Sequence, residues 1–137
     1  MDLQGFLIVL SGPSGVGKNT LMNRVIPRIP NLHYSVSVTT RSPRPGEVDG
    51  VDYFFVTDAE FDRMIANDEF LEWAVFVGNR YGTPRSFIED KIKQGQTVIM
   101  DVDIQGALQI KQKMPDAVLV YLLPPTWEEL RNRLNKR

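Results

Sequence analysis

Two stretches of this sequence hold residues whose types and spacing suit the handling of phosphate. In Gly12-Pro13-Ser14-Gly15-Val16-Gly17-Lys18 the glycines and the lysine are spaced as in a phosphate-cradling loop. Glycines let successive backbone N–H groups turn onto phosphate oxygens, a following helix adds the partial positive charge of its N-terminus, and an ammonium such as that of Lys18 reaches the terminal phosphates. Gly12, Pro13, Ser14, Gly15, Val16, Gly17, Lys18, Asn19 and Thr20 are the expected contacts to a nucleotide. Asn19 stands where such loops usually carry a Ser or Thr hydroxyl for Mg²⁺; its amide oxygen still suits a hydrated Mg²⁺, and Thr20 supplies the nearest hydroxyl. The second stretch, Thr39 to Glu47, sets Arg41 and Arg44 in a proline-stiffened loop. Such a pair clamps a phosphate with paired N–H donors, although a basic loop standing alone is equally well a solvated surface. Asp101 and Asp103 close an apolar run, where Asp101 is expected to orient Mg²⁺ through water and Asp103 also suits the N-cap of the helical segment after it.

These groups need elements to position them. The continuous apolar run from Phe6 to Ser11 reads as a strand buried on both faces, as in a parallel sheet. After the glycine loop, apolar residues recur at helical spacing from Asn19 to Ile26, until Pro27 and Pro30 stop the turn. Further strands are expected at Thr97 to Val102 and at Ala117 to Leu123, the latter closed by Pro124 and Pro125. Thr57 with Glu60, and Thr126 with Glu129, have capping-box spacing; Pro84 and Gly95 bracket another helix. Ser35 to Thr83 reads differently: SVSVTT alternates, YFFV is short, and FLEWAVFV is a longer strand interrupted by the charge of Glu72.

With 137 residues the chain has room for one ordinary domain. Its net charge of −1 gathers neither nucleic acid nor anionic lipid, so no nucleic-acid or membrane partner is expected. Lacking cysteine and having a single histidine, His33, it builds no disulfide framework and no Cys- or His-rich metal site. The opening apolar run is too short for a membrane span and follows no basic segment, so a cytoplasmic protein is expected. His33, Trp73 and Trp127 read as packing or surface residues. The composition offers no reading of the oligomeric state.

GPSGVGK, TTRSPRPGEVDGVDYFF, EFLEWAVFVGNRYGT and DVDIQGALQI, in this order, resemble the guanylate kinase family, and the resemblance runs along the whole chain. It implies a P-loop nucleoside monophosphate kinase that moves the γ-phosphate of ATP to GMP with Mg²⁺, giving ADP and GDP. The implied fold is α/β: a three-layer P-loop core with a mainly parallel sheet, residues 1–34 and 84–137, plus a small mixed-sheet GMP-binding insert over about residues 35–83. Arg41, Arg44, Tyr53 and Tyr81 then look like the grip on the GMP phosphate, and Ser37, Glu72, Gly82, Thr83 and Asp103 like readers of guanine and the adjoining site. The chemistry of Glu72 agrees, since guanine presents N1–H and its 2-amino group side by side to one carboxylate, whereas adenine offers no such pair. Lys18, Arg133 and Arg137 are the implied catalytic charges, and closure of the insert over the core would exclude water. Arg80 stands where the family commonly has an aromatic residue, and it is expected to touch phosphate or to point to solvent. Members of the family continue past the position of Arg137 with an arginine-bearing lid, a helix pair and a last core strand, so a longer enzyme is expected around this sequence. The alternative is a binding module or inactive fragment that holds nucleotide or a phosphorylated partner without catalysis. The intact glycine-lysine loop weighs against it.

Overall fold

A computed structural model describes residues 5–13, 17–123 and 126–135. Four strands form a sheet in the order β2 (Leu32–Tyr34), β7 (Thr97–Asp101), β1 (Leu7–Ser11), β8 (Val118–Tyr121), and every pairing in it is parallel. Period-two alternation along β1 explains the layers. Leu7 and Val9 face a cluster with Ile88 of α3 (Arg85–Lys93) and with Ala107 and Ile110 of α4 (Ile104–Lys113), while Leu10 packs with Met22 of α1 (Lys18–Val25) and with Leu32 and Ile99. Helices on both faces of a parallel sheet are the expected three-layer core.

A second, mixed sheet has the order β4 (Phe54–Phe55), β3 (Val38–Thr39), β6 (Asn79–Pro84), β5 (Phe70–Phe76). β3 runs parallel to β4 and antiparallel to β6, which pairs antiparallel with β5. Helix α2 (Asp58–Ala66) closes a core of its own beneath it through Phe61, Phe70 and Val38. The hydroxyl oxygen of Thr57 caps α2 by accepting from Glu60 N at 3.1 Å, but the Glu60 carboxylate turns to Arg63, so only half of the expected capping box forms. The other end behaves as expected at α3: Gly95, at φ 77°, donates to Ile92 O, and Gln96 donates to Lys91 O.

Several element bounds differ from expectation. α1 starts at Lys18, and Ile26–Arg28, with Pro27 inside, tighten into a 3₁₀ turn. β1 begins at Leu7 and β7 ends at Asp101. The alternating SVSVTT contributes only Val38 and Thr39 to a strand; Ser35 N donates to Ile99 O of the parallel sheet and Ser37 O accepts from Phe54 N of the mixed one, so the segment passes between sheets. The third apolar run is a four-residue edge strand, all of it exposed. Pro124 and Pro125 lie outside the described residues, as does the Glu129 side chain; α5 (Trp127–Asn135) begins directly after Thr126. No helix among the described residues is long and apolar enough to cross a membrane.

The interruption expected at Glu72 is a register shift. Phe70 pairs with Pro84 but Glu72 pairs with Thr83, so Leu71 is an extra residue, a β-bulge. Phe70 packs into the α2 cluster, Leu71 into the cluster of the parallel sheet, and Glu72 comes to face Thr83.

Candidate active site

The glycine loop lies between β1 and α1 at the carboxyl end of the parallel sheet, where open α/β sheets gather ligands. Gly12 and Gly17 take φ of 152° and 102°, values that glycine accepts without strain. Gly17 forms the N-cap of α1 with no side-chain cap, and the first turn carries no acidic residue, so the backbone donors and partial positive charge there are left for an anion. Lys18 Nζ donates to Gly12 O at 3.1 Å, which holds the ammonium over the loop. Ser14, Gly15 and Val16 lie outside the described residues, and Asn19 and Thr20 are exposed at the helix start.

Facing Lys18 is the loop that holds the two arginines. Its start is fixed by β6: Thr39 Oγ1 donates to Arg80 O and accepts from Arg41 N, and Thr40 Oγ1 accepts from Arg80 N. Pro45 and Gly46 turn the chain so that Glu47 N donates to Arg44 O at 3.0 Å, with Gly46 at φ 87°. The Arg41 guanidinium meets the Glu47 carboxylate end-on, at 2.9 and 3.0 Å, and lies over the rings of Tyr53 and Phe55. The pairing holds Glu47 down at about 2 and raises Arg41. Tyr53 in turn meets Tyr81 edge-on at 6.0 Å. Lys18, Arg41, Arg44, Tyr53, Tyr81, Asp101 and Asp103 line one cleft of about 590 Å³, walled on its apolar side by Ala74, Phe76 and Val102.

Ser37 lines a neighbouring cavity of about 440 Å³, together with Asn19, Asp101 and Tyr34. Tyr34 OH donates to Asp101 Oδ1 at 3.2 Å, and burial together with that carboxylate raises the phenol. No cluster of three or more His, Asp or Glu side chains suited to a metal occurs among the described residues. A donor set of one carboxylate, Asp101, with the Asn19 amide nearby suits a hard cation that keeps several waters and shares phosphate oxygens, which is how Mg²⁺ binds.

Glu72 and Thr83 form the other cluster. Thr83, buried at 1% exposure, donates to Glu72 Oε1 at 2.7 Å. Burial is the main cause that raises the Glu72 carboxyl, with the Asp103 charge adding to it. Asp103 Oδ1 accepts from Gly106 N at 2.8 Å as the N-cap of α4, so its helix-capping and cleft-lining roles coexist. Gly106 leaves the room that Glu72 occupies: a Cβ there would lie 3.3 Å from Glu72 Oε2.

Gly82, expected among the readers of guanine, sits against the Phe70 ring, where a Cβ would approach to 2.6 Å, so packing excludes a side chain there and leaves only its backbone for the base site. Arg80 neither reaches the cleft nor points freely to solvent; it pairs with Asp58 and Asp62 and stacks over Phe61, fastening β6 to α2. Arg133 lies in α5 with its side chain outside the description, and Arg137 lies outside the described residues. Sequence reasoning missed Glu47 and Tyr34. The Pro-Gly pair after Arg44 is a turn signal that could have brought Glu47 back onto the arginines, whereas nothing local marks Tyr34 as a neighbour of Asp101.

A strand, glycine loop and lysine-headed helix on a parallel sheet, opposed by a cationic loop across one cleft, define a P-loop phosphate-handling protein. A family profile described as guanylate kinase matches residues 4–137. Curated proteins named guanylate kinase from Thermobifida fusca and Streptomyces coelicolor are 58% and 53% identical to the chain, over 96% and 99% of its length and 67% and 69% of theirs. The crystal structure of a guanylate kinase from Anaplasma phagocytophilum superposes with a TM-score of 0.76 at 40% identity, covering 98% of this chain and 69% of that one. The chain therefore belongs to the guanylate kinase family, and it spans about two thirds of the length of these relatives.

Proposed function

We propose that the protein containing this chain is an ATP:GMP phosphotransferase of purine nucleotide metabolism, acting in the cytoplasm where both nucleotides occur. The observation that carries the reading is the single cleft in which Lys18 of the glycine loop faces Arg41, Arg44, Tyr53 and Tyr81 of the mixed-sheet insert. In this reading the loop, residues 12–20, binds the ATP phosphates and Lys18 neutralises charge that grows on the transferring group. Arg41, Arg44, Tyr53 and Tyr81 hold the phosphate of GMP in line with it, which is most of what this reaction asks of side chains. Glu72, oriented by Thr83, accepts both donors of guanine, and Ser37, Gly82 and Asp103 complete the base site beside it. Asp101 and Asn19 would hold Mg²⁺, which when bound offsets negative charge on the phosphates. Arg133 and Arg137 are assigned to the ATP side by family resemblance. Insert residues 35–83 and core residues 1–34 and 84–137 then act as two halves of one domain.

An ADP-release assay with ATP, Mg²⁺ and each of GMP, AMP, CMP and UMP tests this. Turnover with GMP alone is expected; comparable turnover of AMP would overturn the assignment of the base site, and GMP binding without any turnover would overturn the enzyme.

A further inference from the structure

Glu47 is an acid in the one place where a phosphate-binding loop has least use for one. It is nevertheless held by four hydrogen bonds within that loop. Its Oε1 accepts from Arg41 Nη1 at 2.9 Å and from Arg44 N at 2.7 Å, and its Oε2 accepts from Arg41 Nη2 at 3.0 Å. Its own N–H closes the turn onto Arg44 O. One carboxylate thus fixes the side chain of the first arginine and the backbone of the second. The pair is partly buried, with side-chain exposures of 12% for Arg41 and 20% for Glu47.

We propose that Glu47 is a positioning residue for the phosphate grip: it holds Arg41 and Arg44 in a fixed relation so that the cleft presents pre-aimed N–H donors. The inference rests on the reading of these arginines as holders of the GMP phosphate. Arg41 meets Glu47 through its two terminal nitrogens, and Nε takes no part in that fork. Ser42 O fastens Nη1 further, and the Tyr53 ring backs one face of the guanidinium, so the remaining donors are held rather than searching. A placeholder that a phosphate displaces would need only the Arg41 contact. The bond to Arg44 N and the Pro45-Gly46 turn serve the loop itself, and they would persist with a ligand bound. Pre-organisation of this kind lowers the ordering cost of binding and acts on affinity more than on chemistry.

The test compares GMP with guanosine, which has the base and sugar but no phosphate, as ligands of the complete protein by calorimetry, alongside steady-state kinetics. In Glu47→Gln the dissociation constant and KM for GMP are expected to rise about tenfold, with kcat within about twofold and the KM for ATP and guanosine affinity unchanged. Equal weakening of GMP and guanosine would make Glu47 a general scaffold residue and overturn the proposal. So would unchanged or tighter GMP binding, the latter being the mark of a competing anion. Arg41→Ala serves as the control on the underlying reading. If it selectively weakens GMP while Glu47→Gln does not, the inference about Glu47 falls alone; if Arg41→Ala spares GMP, the phosphate-grip reading falls with it.

Discussion

Two carboxylates near the cleft are displaced in opposite directions, and the signs have different consequences. Glu47 sits at about 2, below its ordinary 4.5, so the stability it contributes is fully present above 4.5 and is lost only as pH falls through about 2. The Glu47 carboxylate therefore stays ionised beside Arg41 at neutral pH. Glu72 is raised above 4.5 by burial, so it costs nothing below 4.5, where both states keep the proton, and disfavours folding increasingly as pH rises from 4.5 through its folded value. Glu72→Gln should raise Tm at pH 8 and lose that gain below about pH 4.5, as followed by calorimetry at several pH values. The same substitution should lower kcat/KM for GMP by roughly a hundredfold, because one of the two guanine donors then faces an amide N–H. A variant that is no more stable at pH 8 would show that Glu72 is ionised there without penalty. Glu72 was legible in the sequence through its chemistry and its flanking motif. Its tuning was not, because it comes first from burial in the folded chain, and the groups that modulate it, Thr83, which lowers it, and Asp103, which raises it, come from β6 and from the N-cap of α4.

At the scale of elements, the parallel sheet and its helices were readable because local signals agree: continuous apolar strands, a glycine loop and a Schellman end at Gly95. The mixed sheet was readable only as a change of pattern, since β3 and β4 contribute two residues each and depend on partners far along the chain. Its place in the motif sets Gly82 by the ligand, and the Phe70 ring, 2.6 Å from where its Cβ would stand, independently explains why no side chain is present. Gly82→Ala forces Phe70 off its contact with Phe61, at 4.5 Å between ring centroids, and should destabilise the protein by about 1–3 kcal/mol in urea unfolding. A change below about 0.5 kcal/mol would mean that the ring moves aside freely.

For the whole molecule, β8 stands out. It is apolar along its length, yet all of Val118, Leu119, Val120 and Tyr121 is exposed and, among the described residues, only β1 pairs with it. Among the described residues its other edge has no strand partner. An open, apolar edge templates self-association. A polypeptide of residues 1–137 should therefore form concentration-dependent oligomers in light scattering, and Leu119→Lys should reduce them severalfold without altering the circular dichroism. Unchanged scattering would place the sticky surface elsewhere, with the hairpin tip at Phe76 and Val77 the next apolar exposure.

The bulge at Leu71 also bears on the molecule as a whole. A strand in regular register spends each side chain on one face of its own sheet, so tying that sheet to a second one ordinarily sacrifices a rung of the ladder. Here the tie is a supernumerary residue: Phe70 and Glu72 keep their rungs with Pro84 and Thr83, and Leu71 is free to enter the core beneath β1 and β7. The tie between the two sheets thus rests on one extra residue of chain rather than on a broken rung. An insertion or deletion between Phe70 and Glu72 would change which residue enters that core and shift the pairing of Glu72 with Thr83.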